Sequence, residues 1–149
     1  MPKKPIYFNI TEIDITHYFE NKTPESYTGK SADIINGFRI SIDKENLLLA
    51  IGIKIKYKYK TNDLFGIETI YTFQFKDNEL FTECTEKKFV FPKYHLITLF
   101  SIVISGVRGM LVAKTTNPAY KKLILPPLNP EEAIKVLVKK GIYQDSSAK

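Results

Sequence analysis

From Ile53 to Lys60 apolar residues and lysines alternate without a break, IKIKYKYK. A period of two is that of a β-strand with one buried and one solvated face. Ile53, Ile55, Tyr57 and Tyr59 share one face, and Lys54, Lys56, Lys58 and Lys60 share the other. The flanking sequence extends this into a sheet. Phe38, Ile40 and Ile42 begin a strand, "DKEN" at 43–46 turns it, and Leu47 to Lys60 runs back. "TNDLFG" at 61–66 predicts a second turn, before a strand carrying Ile67, Tyr71, Phe73 and Phe75 that ends at "KDNE", 76–79. Short connections between consecutive strands predict antiparallel pairing.

Ahead of these lies one more strand, with Ile6, Phe8 and Ile10 in one phase and Ile13 and Ile15 in the opposite phase. A bulge near Thr11–Glu12 is needed to keep both sets on one face. Residues 20–37, with Pro24, Gly29 and Gly37, read as a long crossover loop.

After the strands the period changes. Pro92 fits the first turn of a helix, and from Leu96 to Val107 apolar residues fall on every side of it. Such a helix has to be covered all round, and four strands cover one side only. Leu96, Leu99, Phe100 and Val103 are therefore expected at an interface between subunits. The apolar run 94–112 nearly has the length of a membrane span, but His95, Gly106, Arg108 and Gly109 interrupt it, and no span is expected. Residues 109–128 read as a long apolar connection with prolines. "NPEEAIKVLVKKG", 129–141, is a helix with Asn129 as N-cap, Pro130 next, acids first, lysines last and Gly141 as its stop. The segment "QDSSAK" is expected to fray.

The chain reads as a single domain over 1–149 with flexible ends at 1–5 and 142–149. Its formal charge of +6 comes almost wholly from lysine, and only Arg39 and Arg108 could grip phosphate or guanine bidentately. Cys84 is the single cysteine, which excludes an internal disulfide and fits a reducing cytoplasm. Neither His17 nor His95 has a cysteine or carboxylate at metal-ligand spacing. Cys84 lacks a cationic activator, and Gly106 and Gly109 form no phosphate loop. No catalytic residue, metal or cofactor is expected.

The C-terminal half, "FVFPKYHLITLFSIVISGVRG" then "LILPPLNPEEAIKVL", resembles the bacterial export chaperone family SecB. The shared marks are Phe91–Pro92 opening the long helix, Arg108–Gly109 near its end, Leu123 to Leu128 with Pro126 and Pro127, and Asn129 opening the last helix. Roughly residues 6 to 140 follow the family's order of elements. The chain departs from the pattern in having a longer connection between its helices, no tryptophan, a basic charge and no metal-binding tail. The resemblance implies an α+β fold: a four-stranded antiparallel sheet, a crossover loop after its first strand, and two C-terminal helices on one face. It implies a homotetramer, a dimer of dimers with first strands paired edge to edge, and an ATP-independent holdase for unfolded or preprotein polypeptides.

On this sequence the groove implied for clients is Tyr27, Ile34, Ile35, Phe38, Ile40, Met110, Leu111, Val112, Tyr120, Leu123 and Ile124. The family docks its translocase motor on an acidic sheet face. Here that face carries Lys54, Lys56 and Lys58 with Gln74 and Lys76, so either a different, client-specific partner or plain solvent is implied. Three functions stay open: an export chaperone, a chaperone dedicated to one client system such as a toxin–antitoxin pair, and a basic nucleic-acid-binding module. Nucleic acid is the weakest partner, because the sheet's aromatics share the buried side with isoleucine.

Overall fold

The structure is a computed structural model and describes residues 5–29, 31–124 and 129–148. Residues 1–4 of the expected flexible start, and Leu125 to Leu128 of the leucine-rich segment, lie outside the described residues.

The strands Phe8–Glu20 (β1), Asp33–Asp43 (β2), Leu48–Tyr59 (β3) and Asn62–Phe75 (β4) form one antiparallel sheet in the order β1-β4-β3-β2. The fold is α+β, as expected. The crossover loop lets β1 pass β2 and pair with β4, so β1 and β2 are the two edges. The expected bulge is present: the register slips between Ile10 and Glu12, and again between Ile15 and His17. These slips leave Ile10, Ile13 and Ile15 opposite Phe73, Tyr71 and Thr69, all facing inward.

Two expected loops are strand instead. β2 begins at Asp33, so Ile34 to Gly37 belong to the sheet. The hairpin after β3 needs only Lys60, at φ +53°, and Thr61, so Leu64 and Phe65 enter β4 fully buried. The "DKEN" turn holds, with the Asp43 carboxylate accepting from the Asn46 backbone at 3.2 Å and its side chain at 2.7 Å.

The long helix, Lys93–Lys114 (α1), runs six residues past Arg108, taking in Met110 to Val112, which were expected in the connection. A glycine inside a helix costs only about 1 kcal/mol, and Leu111 is anchored at 0% exposure, so Gly109 does not stop it. It ends at Thr115, ahead of a one-turn helix, Pro118–Lys121 (α2). The last helix, Pro130–Lys139 (α3), has the predicted cap: Asn129 Oδ1 accepts from the Glu131 amide at 3.0 Å, and Gly141 closes it at φ +71°.

The core is the inner sheet face against α1. Leu49, Ile51, Ile53, Ile55 and Tyr57 of β3 and Phe65, Ile67, Tyr71 and Phe73 of β4 meet Leu96, Leu99, Phe100, Val103, Val107 and Leu111. Leu96, Leu99, Phe100 and Val103 are each 0% exposed within their own chain, so they are core and not a subunit interface. The side of α1 left partly or fully open carries Tyr94, Ile97, Thr98, Ser101, Ile102, Ser105, Gly109 and Val112. α1 is long and apolar enough to cross a bilayer, but it lies on a sheet with two free edges, which hydrocarbon does not tolerate.

The chain end is not loose from 142. Tyr143–Asp145 (β6) pairs in parallel with Phe89–Phe91 (β5), the helical segment serving as the crossover. The Tyr143 hydroxyl donates to the Phe91 carbonyl at 2.6 Å, and Asp145 Oδ1 accepts from the first amide of α1, at Lys93, at 3.0 Å. A carboxylate there also complements the helix dipole.

Candidate peptide-binding surface

β2 is an edge strand, and its eleven residues pair with β3 in unbroken register. Its inner row is Ile34, Asn36, Phe38, Ile40 and Ile42, opposite Tyr57, Ile55, Ile53, Ile51 and Leu49. Those β3 partners are buried, whereas Ile34, Phe38, Ile40 and Ile42 are only half-buried. Phe38 sets its ring edge-on to Phe100 of α1, centroids 5.3 Å apart at 71°. The result is a row of apolar side chains open to solvent beside a free backbone edge. Ile42 belongs to this row although it is absent from the expected groove; the alternation that marks Phe38 and Ile40 also marks Ile42.

The other expected groove residues do not join this row. Ile35 is 44% exposed on the opposite sheet face, opposite Lys56. Val112 is 53% exposed on the open side of α1. Met110 and Leu123 are half-buried against the core. Tyr27, Leu111, Tyr120 and Ile124 are core, from 0% to 9% exposed. Tyr120 stacks on Phe65 at 5.0 Å, and Phe65 on Tyr57 at 4.2 Å, while Tyr27 meets Tyr59 edge-on at 5.1 Å.

A polar lock explains why these loop aromatics are buried. The Glu20 carboxylate, at the end of β1, accepts from the Asn117 amide at 2.6 Å, the Thr116 amide at 3.1 Å and the Tyr18 hydroxyl at 2.9 Å. Asn117 Nδ2 donates to Thr23 Oγ1 at 2.7 Å, and the Tyr120 hydroxyl to the Asn21 carbonyl at 2.8 Å. Partial burial pushes the Glu20 carboxyl upward, but these donors outweigh it and hold it below its ordinary value. The crossover loop and the segment after α1 are thus tied to each other.

The lysine row faces outward and is matched by acids. Lys54 Nζ lies 3.1 Å from Glu68 and Lys56 Nζ 3.4 Å from Asp63, both on β4. Lys58 sits between Asp33 and Asp63 in register. Gln74 and Lys76 are exposed near the end of β4. A row neutralised strand by strand is a solvated face, not a concentrated positive field. Changing Lys54, Lys56 and Lys58 together to glutamine is expected to alter stability by no more than about 1 kcal/mol. Labelled DNA or RNA is expected not to be retained by the wild type at ~150 mM salt; retention there, lost in the triple variant, would reinstate a nucleic-acid surface.

His17 is exposed on β1, while His95 is 8% exposed, between Tyr94 and Phe91. Burial raises the Cys84 thiol, which lies 3.1 Å from the Val90 carbonyl. Among the described residues no group of three or more His, Cys, Asp or Glu is arranged to hold a metal.

No protein-family model matches the sequence, and no curated protein matches it. Among solved structures the chain is similar to a SecB-like chaperone of Mycobacterium tuberculosis in complex with a peptide from an antitoxin. That likeness has 14% identity, a TM-score of 0.39, and covers 82% of this chain and 88% of that one. It is also similar to a protein of unknown function from Streptococcus agalactiae, with 6% identity, a TM-score of 0.33, and coverage of 74% of this chain and 92% of that one.

Proposed function

We propose that the protein is an ATP-independent holdase that binds unfolded polypeptides in extended form along β2. The observation that carries this reading is the pairing of an unbulged free edge with a solvent-open apolar row, Ile34, Phe38, Ile40 and Ile42. A free edge offers backbone N–H and C=O groups that any extended chain can satisfy, and the row offers apolar contact without chemical selectivity. Both suit clients of varied sequence, and the SecB resemblance of the helical half supports the same reading.

The assembly belongs to the proposal. The open side of α1, with Thr98, Ser101, Ser105 and Gly109 between Ile97 and Ile102, would pack against a second chain in a soluble, cytoplasmic homo-oligomer, a tetramer in the family arrangement. The client would be a preprotein bound for a translocase or the member of a dedicated system such as a toxin–antitoxin pair. Because the lysine face is neutralised and not acidic, docking of a motor in the family's usual way lacks support.

The test is suppression of aggregation of a chemically denatured protein. Ile34→Ser with Ile40→Ser is expected to remove most of the suppression while the chain still unfolds cooperatively, since both positions are already half-exposed. A wild type that fails to suppress aggregation, or a double variant that suppresses it equally well, would sink the reading.

A further inference from the structure

The strands β1 to β4 contain three glycines, and the packing explains only one of them. A Cβ at Gly66 would stand 2.7 Å from the Phe19 ring and from the Ile55 carbonyl oxygen, so no larger residue fits there. At Gly52 a Cβ would meet nothing nearer than 3.7 Å, and at Gly37 nothing within 4 Å. Neither of these two has a positive φ, and the β2–β3 register passes both without a slip. A glycine inside a strand weakens it, and where it makes no bulge or bend it often marks a place that a ligand or another chain approaches closely.

Both positions belong to the sheet face turned away from α1, beside Arg39. Arg39 stands opposite Gly52, with Ile70 next across the sheet, and Gly37 stands opposite Lys54, with Glu68 next. The missing side chains leave a cavity of about 330 Å³, lined by Arg39, Lys54, Glu68, Ile70 and Lys140. A second cavity, of about 200 Å³, continues it over Ala50 and shares Arg39, Gly52 and Ile70 with it. Lys54 is matched to Glu68 at 3.1 Å. Arg39 and Lys140 have no acidic partner among the described residues, so the trough is net positive.

We propose that this trough is a docking site for an extended acidic segment of a partner protein, one with a carboxylate and an apolar side chain two residues apart. The carboxylate would lie over Gly52 and take the Arg39 guanidinium bidentately. The apolar side chain would lie over Ala50, against Ile70. Side chains two apart in an extended chain share a face and are about 7 Å apart, the spacing of Ala50 and Gly52 themselves. The continuation over Ala50 favours such a segment over a compact anion, which would fill the Gly52 end alone. A run of phosphates is disfavoured, because Lys54 and Lys56 already have Glu68 and Asp63 as partners. In the assembly proposed above, copies meet through α1 and the β1 edges, which leaves this face outward. A further copy seated here would link closed assemblies into open arrays, so the occupant is an outside partner. That last step rests on the assembly reading; the trough itself does not, and it is separate from the client row on the inner face of β2.

The probe is a serine-based hexapeptide with one glutamate and one leucine two residues apart. One counterpart carries glutamine for the glutamate, and another has the leucine next to the glutamate. By calorimetry the wild type is expected to bind the probe at least about tenfold more tightly than the glutamine peptide, the worth of one hydrogen-bonded charge, and also more tightly than the peptide with adjacent residues. Arg39→Lys keeps the charge but should lose most of that preference, because lysine cannot form the fork, while suppression of aggregation stays unchanged. Gly52→Val should abolish binding and leave the melting temperature unchanged or raised, since its Cβ has room and a β-branched residue suits a strand. Equal affinity for the glutamate and glutamine peptides, a lowered melting temperature in Gly52→Val, tighter binding of an oligonucleotide than of the probe, or a wild-type self-association that Arg39→Lys dissolves would each overturn the proposal.

Discussion

Replacing Tyr120 with alanine is expected to lower the melting temperature by about 10 °C. The side chain is 0% exposed and stacks on Phe65, which stacks in turn on Tyr57. Truncating a fully buried aromatic costs roughly 3–5 kcal/mol, and in a chain of this length each kcal/mol is worth about 2–4 °C. Tyr120→Phe separates the ring from its hydroxyl. It retains the stack and loses only the bond to the Asn21 carbonyl, about 1 kcal/mol. Thermal unfolding followed by circular dichroism distinguishes the two variants. A shift below about 2 °C for the alanine variant would mean that Tyr120 is a surface residue, as a client-binding groove would require.

The sequence could not separate these alternatives, because an apolar residue in an apparent loop is equally consistent with a groove and with a plug. What makes Tyr120 a plug is the Glu20 carboxylate, which is 97 residues distant in the chain from its partner Asn117. No local pattern encodes a contact of that separation. The alternation at Ile53–Lys60 was legible because period two is local, and so was the bulge at Thr11, where the isoleucines change phase. The caps of α3 were legible for the same reason, since Asn129 and Gly141 act within one turn of the helix they bound.

Periodicity alone does not show the two edges of the sheet; only the SecB resemblance, with first strands paired edge to edge, implied that β1 is one of them. Every strand shows its own period, but whether Phe38 lies mid-sheet or on a rim depends on which strand β1 chooses as neighbour. The β5–β6 pair escaped for a related reason: each is three residues long, too short for periodicity, and they meet only after the helices have crossed between them. α1 was identified as a helix needing cover on two sides, yet a sequence apolar all round does not say which side the sheet takes. The sheet takes the Leu96–Phe100–Val103–Val107 side, leaving Ile97, Ile102 and the small residues outward.

Gly106 is where that choice is enforced. A Cβ at this position would run into the Tyr71 hydroxyl and stand 3.0 Å from the ring carbon that bears it. Tyr71 is 2% exposed on β4 under the helix, so its ring has little room to withdraw. Gly106→Ala gains about 1 kcal/mol of helix propensity, but forcing a methyl into packed space costs about 1–3 kcal/mol. A net loss of up to about 2 kcal/mol is expected by chemical denaturation, and a larger one for Gly106→Val, whose branched side chain adds further atoms at the contact. Tyr71→Phe removes the atom that clashes. In the Tyr71→Phe background Gly106→Ala should therefore cost at least about 1 kcal/mol less, a coupling within the range seen for residues in contact. Additive effects in that cycle would mean that α1 does not approach β4 through Gly106, and the assignment of its open side would fall with it.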